Sequence, residues 1–260
     1  MKAPTDYLLH LADNAVVLGQ RDAEWCGHGP VLEEDLALAN ISLDLIGQAR
    51  LLYQLAATRL GNGATEDALA YFRGDTDFRN YTLLELPNSV ALVGYAKTDM
   101  DYATTVVRNF LYSALMVLVW EALQDSPDTD LAAIAEKSLK ESRYHLHHSA
   151  DWVIKFGDGT EESHNRAQAA FDHLYPYTEE FWALNKFEQD AIANGTGVDV
   201  KTLRAAWESI IKETLDQATL ALPTTKGHLP EGKNGRHSEH LSFLLGEMQS
   251  LARQHPGATW

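Results

Sequence analysis

The 260-residue sequence predicts an all-α protein, an elaborated four-helix bundle with additional C-terminal helices. Three observations predict it. Glycine and proline are sparse, 17 and 8 residues, too few for the turns of an all-β chain of this length. Apolar residues recur at helical spacing over several long segments. No stretch alternates apolar and polar residues for long enough to build a sheet.

The first helix is expected from about Thr5 to Gln20, where Leu8, Leu11, Ala15 and Leu18 share a face and Thr5 or Asp6 can cap the start. A loop, Glu24 to Pro30, precedes the acidic turn Glu33-Glu34-Asp35, which complements a helix N-terminus. The second helix then runs to about Leu60. It is apolar around most of its circumference, which predicts a helix buried in the middle of the fold. Asn40, Asp44 and Gln48 lie four apart and form one polar line along it.

Short helical pieces follow near Thr65–Arg73 and Asp75–Glu85, and Pro87-Asn88 breaks the chain. The third long helix spans about Asp99–Gln124. Its run Phe110–Trp120, interrupted only by Ser113, is shorter than the ~20 residues a bilayer needs, and reads as a buried core helix. The fourth runs from Leu131 to Phe156, with Asp130 as a candidate cap and a core line of Ala135, Leu139, Ser142, Leu146, Ser149 and Val153. Thr160–Leu174, Thr178–Phe187, Val200–Leu222 and Gly235–His255 complete the series. The whole reads as one domain over 1–260, with a core bundle over about 5–156 and a helical extension over about 160–255.

The formal net charge of −16 argues against nucleic acid and membrane surfaces as partners. An anionic ligand such as a coenzyme A ester needs only a local basic patch. The nearest is the loop carrying Lys226, His228, Lys233, Arg236 and His237, whose plain reading is a solvated loop. The single cysteine, Cys26, excludes an internal disulfide and reads as a packed or half-exposed thiol. The first residues lack the apolar core of a signal peptide, so a cytoplasmic location is expected.

Polar positions on central helices of a bundle raise the possibility of a di-iron carboxylate site. Such a site takes a Glu from each of two helices and a Glu-x-x-His from each of two others. The corresponding positions here are Asn14, Asp44, a place near Tyr112 or Ser113, and His145 with Ser142 three residues before it. Asn14 is no carboxylate, Gly47 stands where Asp44 would need a histidine, and Ser142 stands where His145 would need a glutamate. The lone Glu-x-x-His, Glu161 to His164, reads as a capped first turn. What remains is a polar cluster at a former metal position, Asn14, Asp44, Glu141 and His145, with no metal and no catalytic residue expected. His237 and His240 share a face and read as packing or helix-start hydrogen bonding.

The stretch Glu24-Trp25-Cys26-Gly27-His28-Gly29-Pro30, then Asp35–Ile41 and Leu43–Arg50, resembles the PaaC family, the C subunits of ring-1,2-phenylacetyl-CoA epoxidases. So do Arg143–Leu146, Thr202–Glu208 and the tail His237–Leu241 through Glu247–Gln249, so that the resemblance spans Tyr7 to Trp260. It implies a ferritin-like fold and a place in a bacterial monooxygenase complex of aerobic phenylacetate breakdown. In such a complex the di-iron centre sits in the catalytic A subunit. A reductase subunit with FAD and an iron–sulfur cluster supplies electrons from NADPH. The C subunit is implied to be structural, without a cofactor of its own, pairing with and stabilising the A subunit. A subunit of that kind exposes an apolar bundle face when alone, so homodimers or aggregation are expected of the isolated chain. The stretch Leu86–Asp99 is longer than the family pattern leads one to expect. Two other functions stand beside this one: an autonomous ferritin-like metal-dependent oxidoreductase, and an acyl-CoA-binding scaffold using Lys226, Lys233 and Arg236.

Overall fold

Ten α-helices account for most of the chain in the computed structural model, which describes residues 1–90, 100–223 and 229–258. They are α1 (Thr5–Ala23), α2 (Leu32–Leu60), α3 (Glu66–Tyr71), α4 (Thr82–Glu85), α5 (Tyr102–Leu123), α6 (Thr129–Gly157), α7 (Glu161–Leu174), α8 (Lys186–Ala193), α9 (Arg204–Ala218) and α10 (Glu239–Gln254). Among the described residues there is no strand, and the all-α class holds. The contacts divide the chain into two units. One comprises Ala3–Leu86 and Glu231–Trp260; the other comprises Met1–Lys2 and Pro87–Pro230. The C-terminal helix α10 therefore groups with α1–α4, and α5–α9 form the second unit.

In the first unit α1 packs along α2, and α3, α4 and α10 complete the cluster. Gly19 marks the close approach. A side chain there would lie 3.3 Å from the backbone oxygen of Ser42, and the Ser42 hydroxyl donates to the Gly19 carbonyl at 2.7 Å. The burial pattern reverses one expectation. It is α1 that is enclosed on every side from Tyr7 to Gly19, whereas α2 leaves Leu32, Leu36, Leu43 and Ile46 exposed. Periodicity alone does not separate the two cases, because an apolar face can meet the chain's own core or nothing within the chain.

Asp75–Glu85 is not one helix. A 3-10 turn covers Asp75–Asp77, extended backbone follows, and α4 is a single turn. The backbone amides needed for a continuous helix are taken by side chains of α1: Arg79 N–H donates to Asp13 Oδ2 at 2.8 Å and Tyr81 N–H to Asn14 Oδ1 at 2.7 Å.

In the second unit α5 is buried along nearly its whole length against α6, α7 and α9. It is long and apolar enough to cross a membrane by composition, yet most of it is covered by protein. The α6 core line is largely as expected, with Ala135, Leu139, Ser142, Ser149 and Val153 buried; Leu146 is half-buried and His145 is buried beside it. Asp128, not Asp130, caps α6, because its carboxylate accepts from Leu131 N–H at 3.4 Å. Neither Thr5 nor Asp6 caps α1; the first free amides, of Tyr7 and Leu8, reach the Pro4 carbonyl instead. Thr160 and Ser163 cap α7 reciprocally, and His164 donates to the Gly157 carbonyl at 2.8 Å, so Glu161–His164 is a capped first turn.

Trp207 on α9 anchors an aromatic group with Tyr175, Phe181 and Trp182, and its indole N–H donates to the Leu111 carbonyl of α5 at 3.0 Å. Thr178–Phe187 is split: a 3-10 stretch runs through Tyr175–Trp182, then α8 starts behind an Asn185 cap. α9 ends at Ala218, earlier than expected, because Thr219 turns left-handed at φ 55°. α10 begins at Glu239 rather than Gly235, since Glu231 and Arg236 pair across a turn that puts Gly235 at φ 77°. Cys26 is exposed.

At Gly157 a Cβ would lie 2.0 Å from the Ala218 carbonyl oxygen, which is backbone and cannot swing away. Gly157→Ala is expected to cost about 1–3 kcal/mol, read as a lowered thermal midpoint with helicity unchanged at low temperature.

Candidate functional site

The residues of the expected polar cluster stand on α1, α2 and α6. On α1, Asn14 is fully buried. Its carbonyl oxygen accepts from Tyr81 N–H, and its amide donates to His10 Nε2 at 3.3 Å. The other ring nitrogen of His10 donates to the Arg79 carbonyl at 2.6 Å, which makes His10 a neutral ring with its proton on Nδ1. Asn14 is thus committed to holding extended backbone against α1. On α2 the polar line winds inward: Asn40 is exposed, Asp44 half-buried and Gln48 buried. A four-residue step overshoots one helical turn, so the line rotates from solvent toward the core. On α6, Glu141 is half-buried with Lys137 4.0 Å away, and His145 is buried with its carbonyl accepting from Ser149 Oγ at 2.7 Å. Among the described residues, no three His, Cys, Asp or Glu side chains form a group that could hold a metal ion.

The basic loop is not an open patch. Lys233 is 2% exposed and lies over the Tyr81 ring at 5.3 Å. Arg236 is exposed and pairs with Glu231 at 2.8 Å. Lys226 and His228 lie outside the described residues, as do positions 91–99 of the stretch Leu86–Asp99.

Two buried polar constellations were not singled out from the sequence. The first is Asp13, completely buried at the centre of α1. The Arg73 guanidinium pairs with both of its oxygens, Tyr53 donates its hydroxyl to Oδ1 at 2.5 Å, and Arg79 N–H donates to Oδ2. Arg73 also stacks over Phe78 at 4.3 Å and donates to the Leu69 and Asp77 carbonyls. Burial pushes the Arg73 guanidinium down, but Asp13 and Tyr53 outweigh it and hold its proton more firmly than usual. Burial and then Asp13 push the Tyr53 phenol well up. The signal was present: His10, Asp13 and Asn14 stand together in the otherwise apolar stretch Tyr7–Gly19, and a carboxylate there needs a partner.

The second is Glu85, also completely buried, which accepts from Asn80 Nδ2 at 2.9 Å, from Ser238 N–H at 2.5 Å and lies 2.7 Å from His237 Nδ1. His237 thus serves hydrogen bonding at the start of α10, as its position suggested.

A family model described as "Phenylacetic acid catabolic protein" matches residues 1–260. The chain belongs to this family. A relative from Escherichia coli (strain K12), named as the C subunit of 1,2-phenylacetyl-CoA epoxidase, is 42% identical over 260 residues, covering all of both chains. The resemblance noted on short motifs therefore extends along the whole of this phenylacetic acid catabolic chain.

Replacing Arg73 by Met would leave Asp13 charged and unpaired in the core, with an expected loss of about 3–5 kcal/mol in denaturant unfolding. The Asp13→Asn, Arg73→Met double variant should lose clearly less than the two singles summed, because neither charge is then stranded. At the alkaline end, Tyr53 and Tyr112 both have phenols raised by burial, so their contribution is intact below the ordinary tyrosine range. It falls as pH climbs above about 10, where the unfolded chain ionises first, and Tyr112→Phe should flatten that loss in a stability-against-pH series.

Proposed function

We propose that this chain is the non-catalytic structural subunit of a phenylacetyl-CoA 1,2-epoxidase complex, where it pairs with and stabilises the di-iron catalytic A subunit. The relative's name supports membership in such a complex. One observation on the molecule carries the pairing: the outer face of α2. Leu32 is 71% exposed, Leu36 56%, Leu43 65% and Ile46 39%. Between Asp35 and Arg50 the only ionisable residue is Asp44, on a chain whose net charge is −16. A neutral, apolar helix face on so acidic a protein has the composition of an interface centre rather than of a solvated surface.

Gly47 adds to this. A glycine inside a helix costs roughly 1 kcal/mol relative to alanine, and a Cβ at Gly47 would meet nothing within 4 Å. Among the described residues nothing demands a glycine there. A second helix laid against Leu36, Leu43 and Gly47 would, because the missing side chain lets a partner backbone come close. On this reading the iron of the complex belongs to the partner.

Co-expressed with its A subunit, the wild-type chain is expected to elute as one mixed species in size-exclusion chromatography. Leu36→Asp with Leu43→Asp should separate the two while leaving the helical content of this chain intact, and Gly47→Ala should weaken the pairing while raising the chain's own melting temperature. Elemental analysis should find iron in the complex and not in this chain alone. Co-elution that survives both aspartates, or a pair of irons in the isolated chain, would overturn the reading.

A further inference from the structure

The segment from Glu231 into α10 returns to the N-terminal helices through a set of specific polar contacts. Gly232 N–H donates to Thr82 Oγ1 at 3.2 Å, and Ser242 Oγ donates to Asp75 at 2.9 Å. Arg21 of α1 donates to the Glu85 carbonyl at 2.5 Å and reaches the His240 carbonyl at 3.4 Å. At the centre sits the Glu85–His237 pair, with side-chain exposures of 0% and 5%.

The hydrogen-bond geometry fixes how many protons this pair holds. His237 Nε2 lies 3.1 Å from the Phe78 carbonyl oxygen, which can only accept, so Nε2 carries a proton. Nδ1 lies 2.7 Å from Glu85 Oε2, and a second proton must lie between those two atoms, whichever of them owns it. An exposed glutamate and histidine at neutral pH hold only one proton between them, on the ring. The assembled pair therefore carries one proton more than the separated pair.

We propose that Glu85 and His237 form a proton-bound clasp that fastens α10 to the N-terminal helices and loosens as the pH rises. The surrounding charges act in both directions. Arg21 from α1, Arg79 from the extended stretch and Lys233 from the 3-10 turn before α10 oppose the extra proton. Asp75, from the turn beneath α10, favours it; its own carboxyl is held low by Ser242, by Thr76 N–H and, less strongly, by His237. Glu239 and His240 of α10 are the remaining titratable neighbours in sequence. Glu85 weighs heavily in the balance, because it stands at hydrogen-bond distance from His237 Nδ1 with both side chains almost wholly buried. The sign follows: below the range where a free imidazole titrates, about pH 6.5, open and closed states hold the same protons; above it, opening releases one. Opening uncovers Leu241, Leu244 and Leu245, which are buried while the clasp is shut.

The test uses the full-length native chain and does not depend on the docking proposal above. Hydrogen exchange of the α10 amides, corrected for intrinsic rates and referred to α1, is followed from about pH 6 to pH 9, with the His237 ring nitrogens read by nitrogen-15 NMR in the same samples. The clasp predicts that α10 protection falls by up to about tenfold per pH unit above the free-imidazole range while the pair keeps its shared proton. In His237→Gln the protection should be lower at pH 6 and flat with pH. Should that variant fail to fold, the native ring titration decides alone. A bare Nδ1 with an ionised Glu85 at pH 7, or α10 protection independent of pH in the native chain, would overturn the proposal.

Discussion

Asp13 lies in the middle of a helix packed on every side, and a carboxylate in that position must be neutralised and fully hydrogen-bonded if the helix is to stay enclosed. Much of the N-terminal unit follows from how that requirement is met. Arg73 comes in from beyond α3 to supply the charge, Tyr53 from α2 to supply a hydroxyl, and the backbone of Arg79 to supply an amide. The last of these has the widest effect. Together with Asn14 at Tyr81, it draws residues 78–81 into an extended course along α1 and ends the helical tendency of that region. α4 and its buried Glu85 are placed in consequence, and with them the seat for α10.

Apolar content does not by itself say where a helix goes. α5 and α2 are both rich in leucine, isoleucine, valine and alanine, yet α5 is enclosed by its own chain and α2 is half uncovered. The physical difference lies in what each face meets. α5 is covered by α6, α7 and α9, whereas α2 rests on α1 and turns Leu36 and Leu43 to solvent. In a member of the phenylacetic acid catabolic family whose relative is named as part of an epoxidase, an uncovered neutral face has a natural reading as surface that another chain completes.

The buried polar groups divide into two kinds. Asn14, with His10, and Asp13, with Arg73, hold backbone and neighbouring helices in place. Glu85 and His237 do the same for α10, but through a bond whose strength depends on a proton. Each of these groups has hydrogen-bond partners within the chain, as buried polar groups require.

Helix existence was legible in the residues themselves. The spacing of Leu8, Leu11, Ala15 and Leu18, the Thr160–Ser163 cap, and the small residues Ser142 and Ser149 on α6 are local features that act within a few residues. The shortage of paired Glu-x-x-His motifs was legible for the same reason. The sequence alone did not indicate that Asp13 meets Arg73 sixty positions away, that Glu85 meets His237 across 152, or that Lys233 points inward onto Tyr81. Those pairings join residues that carry no mark of each other in spacing or composition; only packing, by closing water off from each charge, selects its partner. Which apolar face stays exposed is decided in the same way, once the chain's own helices have covered the others.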